Sequence, residues 1–85
     1  MNLLIVEYVN FSITVPANKT KHMGVDVTKD GYTPLGVVGI TTNTDELSVN
    51  RFYLTNNNVA VAFYNEASTE KTTTAAYIWV LYVKN

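Results

Sequence analysis

The chain has no cysteine, which removes disulfide frameworks and thiolate metal sites together. Histidine is reduced to one residue, His22, so a Ser–His–Asp arrangement would have to be built on it. Ser12, Ser48 and Ser68 lack the flanking glycines of a nucleophile elbow. His22 is therefore read as a loop or strand-surface residue. Charge is also scarce: 15% of residues are Asp, Glu, Lys or Arg, against about 25% in a typical soluble domain. The net charge of −1 and scattered basic residues give no footprint for a nucleic-acid backbone. The cluster of Lys19, Lys21 and His22 reads as a solvated loop.

The acidic residues are as unpromising for catalysis as the histidine. Only Asp45 and Glu46 are adjacent, and neighbours on a strand face opposite ways, so no carboxylate pair across a cleft is expected. Asn43, Asp45 and Glu46 fall short of the alternating ligands and glycine of a calcium loop. Of four glycines, Gly36 and Gly39 sit inside an apolar run, where they mark a bulge or close packing rather than a phosphate cradle. Long hydrophobic runs are missing too. Leu3-Leu4-Ile5-Val6 has no basic flank and ends at Glu7, too short for a secretory leader or a membrane span. The sequons Asn10-Phe11-Ser12 and Asn18-Lys19-Thr20 matter only in a glycosylating compartment.

What is present is strand chemistry. Twelve Thr and ten Asn accompany many Val, Ile and Tyr residues, poor helix material but suited to strands and turns. Val9, Phe11, Ile13 and Val15 alternate with polar residues, the period of a half-buried strand that Pro16-Ala17-Asn18 closes. Residues 3–8 are read as extended too, with an unbroken apolar run that carries no facing information. Met23, Val25 and Val27 define a second strand, followed by a Lys29-Asp30-Gly31 turn. The run Gly31-Tyr32-Thr33-Pro34-Leu35-Gly36-Val37-Val38-Gly39-Ile40 reads as a buried strand around which the chain is organised. Asp45-Glu46-Leu47 is short enough to close as one helical turn. Residues 47–54 change phase between Val49 and Phe52, which a bulge near Asn50-Arg51 reconciles. Asn56-Asn57-Asn58 is a hairpin turn. Val59, Val61 and Phe63 then point inward, opposite Ala60 and Ala62. In residues 71–84, Tyr77, Trp79, Leu81 and Val83 point one way, and Ile78, Val80 and Tyr82 the other. A strand apolar on both faces is central in a two-layer fold or part of a subunit interface. The short strands and regular turns argue for a β-sandwich or small barrel. The expected fold is one all-β domain over residues 1–85: a small antiparallel β-sandwich, jelly-roll-like, of six or seven strands.

Aromatic residues carry the binding-type signal, at 12% of the chain. Tyr53 and Arg51 fall opposite Phe52 and Leu54, and Tyr64 opposes the inward set of its own strand. Exposed Tyr beside Arg suits protein or sugar recognition. The same rings equally serve to cover a sheet or to fill a homo-oligomer interface. Tyr32, Arg51, Tyr53 and Tyr64 are the candidate binding residues, and Tyr77, Ile78, Trp79, Val80, Leu81 and Tyr82 the candidate interface. Self-association is expected on three grounds: an 85-residue core is marginal, charge is low, and the last strand is apolar on both faces.

Four blocks carry a family resemblance: Thr14-Val15-Pro16-Ala17-Asn18, the 31–40 run, Val59-Ala60-Val61-Ala62-Phe63-Tyr64-Asn65, and Val80-Leu81-Tyr82-Val83-Lys84. Together they resemble the small β-sandwich domains of tail-fibre, baseplate and head-appendage proteins of tailed bacteriophages. The resemblance spans residues 9–84. It implies a non-enzymatic virion module, homotrimeric, acting as a fibre tip, spacer or receptor-contacting head. Its implied partners are copies of itself, other virion proteins, and a host surface glycan or protein. It implies no catalytic residue, and the composition and charge give no expectation of a metal, a cofactor, nucleic acid or membrane insertion. The departure from such proteins is that residues 1–85 hold no long shaft, which is the expectation for either a fragment of a longer fibre or a free-standing small protein. The rival expectation is a monomeric carbohydrate-binding module using Tyr32, Tyr53 or Tyr64 as a stacking platform.

Overall fold

Period-2 patterning sets the strands of the protein, which a computed structural model describes over residues 3–85; Met1 and Asn2 of the expected 1–85 domain lie outside the described residues. Six strands follow in order: β1 (Leu4–Val15), β2 (Thr20–Asp26), β3 (Tyr32–Thr42), β4 (Leu47–Thr55), β5 (Asn58–Asn65) and β6 (Lys71–Lys84). They form two three-stranded sheets. Sheet I has the order β1-β6-β3 and sheet II the order β2-β5-β4, with every pairing antiparallel. The chain winds like a long hairpin in which β1 pairs with β6 and β2 with β5, with β6 then also joined by β3 and β5 by β4. This is jelly-roll winding in six strands. The body is elongated, 50 × 21 × 16 Å.

The inward-facing residues of both sheets make a single core. Phe11, Ile13, Val15, Ile78, Val80 and Tyr82 from sheet I meet Val25, Val59, Val61 and Phe63 from sheet II. Across the layers, the Phe11 and Phe63 rings lie 5.9 Å apart between centroids. Val15, Val59, Phe63, Ile78 and Val80 are completely buried, each contributing about 1.5–3 kcal/mol of apolar transfer.

Two buried polar devices join the sheets. The Tyr82 hydroxyl donates to the Val27 carbonyl at 2.6 Å, so the middle of sheet I holds the chain leaving β2. Asn65, fully buried at the end of β5, donates through Nδ2 to the Val15 and Thr69 carbonyls and accepts the Ala67 N–H at Oδ1. It fixes both loops at that end of the sandwich.

Several sequence expectations need correcting. The 31–40 run is not a buried central strand: β3 is an edge strand of sheet I, and the central strands are β6 and β5. Its unbroken apolar run arises from two bulges, in which Leu35 and Val38 are the extra residues and both stand exposed. Gly36 and Gly39 adjoin these bulges; a side chain on either would meet nothing within 4 Å, so close packing is not their role. Asp45 and Glu46 form a turn, with Glu46 at φ 72°, rather than a helical turn. Lys21 and His22 lie on β2, as the strand reading of residues 21–28 has it, and the solvated-loop reading of their cluster with Lys19 does not hold for these two. The expected bulge in β4 is present between Val49 and Arg51, and the hairpin turn between β4 and β5 is Asn56-Asn57, with Asn56 at φ 54°.

Candidate functional site

The two outer faces of the sandwich differ, one bearing an apolar ridge and the other a mixed polar and apolar hollow. On sheet I, cross-strand pairs place Leu4 beside Val83, Val6 beside Leu81, and Tyr8 beside Trp79. Leu4, Val6 and Tyr8 are each about half exposed, as are the bulge residues Leu35 and Val38 of β3. The Tyr8 ring lies 5.2 Å from both Tyr77 and Trp79, edge-on to the first and tilted to the second. The result is a raised apolar row along β6 with apolar flanks.

This placement divides the sequence-predicted interface set. Tyr77, Trp79 and Leu81 face outward. Ile78, Val80 and Tyr82 are 0%, 0% and 2% exposed inside the chain's own core. That burial removes these three from any subunit interface, because reaching them would open the sandwich.

On sheet II the outward residues form rungs across the strands. Thr20, Tyr64 and Ser48 make the first, His22, Ala62 and Arg51 the second, Gly24, Ala60 and Tyr53 the third, and Asp26, Asn58 and Thr55 the fourth. The central strand β5 contributes only Ala62 and Ala60 to the second and third rungs, so the sheet is hollow there. His22, Gly24, Arg51, Tyr53, Ala60 and Ala62 line an open trough of about 410 Å³. At Tyr53 and Ala60 it adjoins a second depression bordered by Asp26, Thr55 and Asn58.

A Cβ at Gly24 would stand 2.9 Å from the Asn58 Oδ1 that lies across it, so a side chain there would turn the Asn58 amide aside. The Arg51 guanidinium sits over the Tyr53 ring, 5.9 Å from its centroid, and the ring remains 52% exposed. Among the described residues the ion pairs are Lys29–Glu7 and Lys71–Glu46, and Arg51 has no carboxylate partner.

Comparison with models of known protein families, with curated proteins and with solved structures finds no match.

The sequence-predicted binding set is therefore brought together only in part. Arg51 and Tyr53 are neighbours on the trough wall, and Tyr64 stands on the same face one rung away, outside the trough. Tyr32 belongs to the other sheet. It sits at the end of the sandwich, packed against the core with its ring 6.4 Å from Tyr82 and under the Lys29 ammonium. Tyr32 cannot join Tyr53 and Tyr64 in one platform. Sequence reasoning missed the groove floor and the polar fourth rung. The signal was there in the small residues Ala60 and Ala62 alternating with Val59, Val61 and Phe63 on a central strand.

Asp26 closes the polar end of the groove. Its carboxyl is held below the usual 3.8 by hydrogen bonds from the Thr28 hydroxyl and then the Thr28 N–H. Burial pushes the Tyr82 phenol up, and the Glu7 carboxylate adds to that.

Proposed function

We propose that this chain is a non-enzymatic assembly module that self-associates through the outer face of sheet I. The observation that carries the reading is the exposed apolar set of Leu4, Val6, Tyr8 and Trp79 across β1 and β6, with Leu35 and Val38 also exposed on the neighbouring β3. Soluble monomers rarely expose a large apolar patch. A second copy is the fitting occupant because closed symmetry covers the face on every chain without leaving an open end. Association by strand addition along β3 is disfavoured: Pro34 lacks an N–H, and the two bulges break the regular edge.

Taken with the family resemblance, the proposed setting is an appendage of a tailed-phage virion, with the chain as a fibre tip, spacer or receptor-contacting head, in three-fold symmetry. Other virion proteins and a host surface glycan or protein are its proposed partners. The three-fold symmetry and the virion setting come from the resemblance; the face comes from the residues. The monomeric carbohydrate-binding alternative in its original form loses Tyr32 from its platform.

Sedimentation equilibrium at micromolar concentration tests the assembly. A mass of 9.5 kDa refutes self-association, a dimer refutes the trimer, and a trimer supports the whole reading. Peptide mass spectrometry of purified phage particles tests the setting: recovery of this chain supports it, and its absence from particles whose genome encodes it refutes it.

A further inference from the structure

Self-association through sheet I leaves the outer face of sheet II open, and its groove has the makings of a ligand site. We infer that this groove binds a short acidic saccharide, with a sugar carboxylate on Arg51, a sugar ring against Tyr53, and hydroxyls on Asn58 and Asp26. The inference uses the opposite face from the assembly proposal and does not depend on it.

The cation comes first. Arg51 has no carboxylate partner among the described residues, so its fork of N–H donors is available, and that fork matches a carboxylate in two parallel hydrogen bonds. It stands on a trough of about 410 Å³, within the range of small-molecule sites. A simple inorganic anion would use the cation alone and leave the rest of the groove empty.

The middle rung selects a ring. Gly24 and Ala60 give a low floor, crossed at Gly24 by the Asn58 amide, beside the half-exposed Tyr53. The electron-rich face of tyrosine attracts the C–H face of a pyranose, which a peptide of acidic side chains does not present. Arg51 over the same ring helps to hold it in place.

The far rung supplies amide and carboxylate groups. Asn58 lies across Gly24, and Asp26 and Thr55 complete the rung. The Asp26 Oδ1 accepts from Thr28, which leaves its other oxygen for a sugar hydroxyl. A negative Asp26 at this end would repel a carboxylate, so the acid group is directed to the Arg51 end. Thr55 lies four residue steps along the strand from Arg51, about 13 Å at 3.3 Å per step, the reach of a short oligosaccharide rather than of a single sugar.

The test is an amide chemical-shift titration of the whole chain with 3′-sialyllactose and trigalacturonic acid, beside their uncharged counterparts, lactose and the methyl ester of trigalacturonic acid. Tetraglutamate serves as a sugar-free anion. At least one acidic sugar is expected to shift His22, Gly24, Ala60 and Ala62 saturably, at least tenfold more tightly than its neutral counterpart, and to weaken as salt is raised. Arg51→Gln is expected to abolish the preference for the acid, and Tyr53→Ala to weaken both forms at least tenfold. Both substitutions are at exposed positions, and an unchanged spectrum elsewhere verifies the fold.

Three results overturn the inference. One is no shift at these amides from either acidic sugar at ~10 mM. Another is equal binding of the charged and neutral members of each pair. The third is tetraglutamate binding as tightly as the sugars and surviving Tyr53→Ala, which would make the site a generic anion contact.

Discussion

Asn65→Ala removes the buried side chain on which one end of the sandwich depends. The amide spans three segments: Nδ2 to the Val15 carbonyl at 3.0 Å, Nδ2 to the Thr69 carbonyl at 2.9 Å, and the Ala67 N–H to Oδ1 at 2.8 Å. Alanine deletes all three and leaves the Ala67 N–H without its acceptor in a buried place. At about 1 kcal/mol net for each bond, the loss is about 3 kcal/mol. A domain of this length has roughly 4–13 kcal/mol of stability in total. The corresponding fall in melting temperature is roughly 12–24 °C. Tyr82→Phe is the internal comparison, since it removes a single hydrogen bond, to the Val27 carbonyl, and should cost about 1 kcal/mol. Urea unfolding followed by Trp79 fluorescence reads both, at one protein concentration so that any association contributes equally. Asn65→Asp adds a sign. A carboxylate there faces the Val15 and Thr69 carbonyls, so the variant should be least stable at neutral pH and recover as acid protonates it. An Asn65→Ala cost no larger than that of Tyr82→Phe, or an Asn65→Asp variant indifferent to pH, would refute the proposed role of the amide.

The two faces of β6 should respond differently to charge. Trp79→Asp and Leu81→Asp are expected to give folded chains of monomer mass, whereas Val80→Asp is expected to unfold the chain, as circular dichroism and sedimentation would show together. A dissociated Val80→Asp that remains folded would reverse the assignment of faces. Stability should decline at both pH extremes. The Asp26 carboxyl is lowered from 3.8 by Thr28, so its contribution is complete above that pH and is lost as pH falls through the lower folded value. Asp26→Asn should flatten this acid limb in pH-dependent urea melts. Lys29 is raised above 10.5 by Glu7, and Tyr82 above 10.0 by burial. Both contributions are complete below those values and lost as pH rises through the folded ones, so the share of tyrosinate absorbance that Tyr82→Phe removes should appear later in the folded chain than in urea.

Much of this fold is legible from the chain because one period governs it. Phe11, Ile13 and Val15, then Val59, Val61 and Phe63, then Ile78, Val80 and Tyr82 all face the core as their alternation requires. The β4 bulge was readable because Val49 and Phe52 are both apolar and out of phase. The β3 bulges were hidden because Leu35 and Val38 are apolar yet exposed, so no polar residue marks where the phase slips. Pro34 was the missed clue, since a proline within a sheet belongs at an edge or a bulge. The β6 register slip was equally silent. An extra residue lies between Thr73 and Ala76, and Asn10 Nδ2 brackets it by donating to the Thr74 and Ala76 carbonyls. The groove was legible only halfway: Arg51 and Tyr53 share a face by spacing alone, but their pairing with Ala60, Ala62, Gly24 and His22 depends on which strands become neighbours. That is decided by winding, which local period does not encode.

The same winding explains why one small sandwich presents two unlike faces. β5 and β6 occupy equivalent central positions, and both give alternate residues to a shared core. At mid-strand, their remaining residues differ in volume: Ala60 and Ala62 on β5, between outward Asn58 and Tyr64, against Tyr77, Trp79 and Leu81 on β6. A small central residue between larger neighbours makes a hollow, and a large one makes a ridge. The hollow is bordered by Arg51, Tyr53, His22 and Asn58, groups with directional bonds to offer. The ridge is bordered by Leu4, Val6 and Tyr8, which gain mainly by leaving water. A hollow rimmed with directional groups discriminates among small polar molecules, while an apolar ridge favours a broad surface of its own kind. On this argument, exchanging the outward residues of the two central strands while keeping the inward ones should leave the fold in place and exchange the chemistry of its faces.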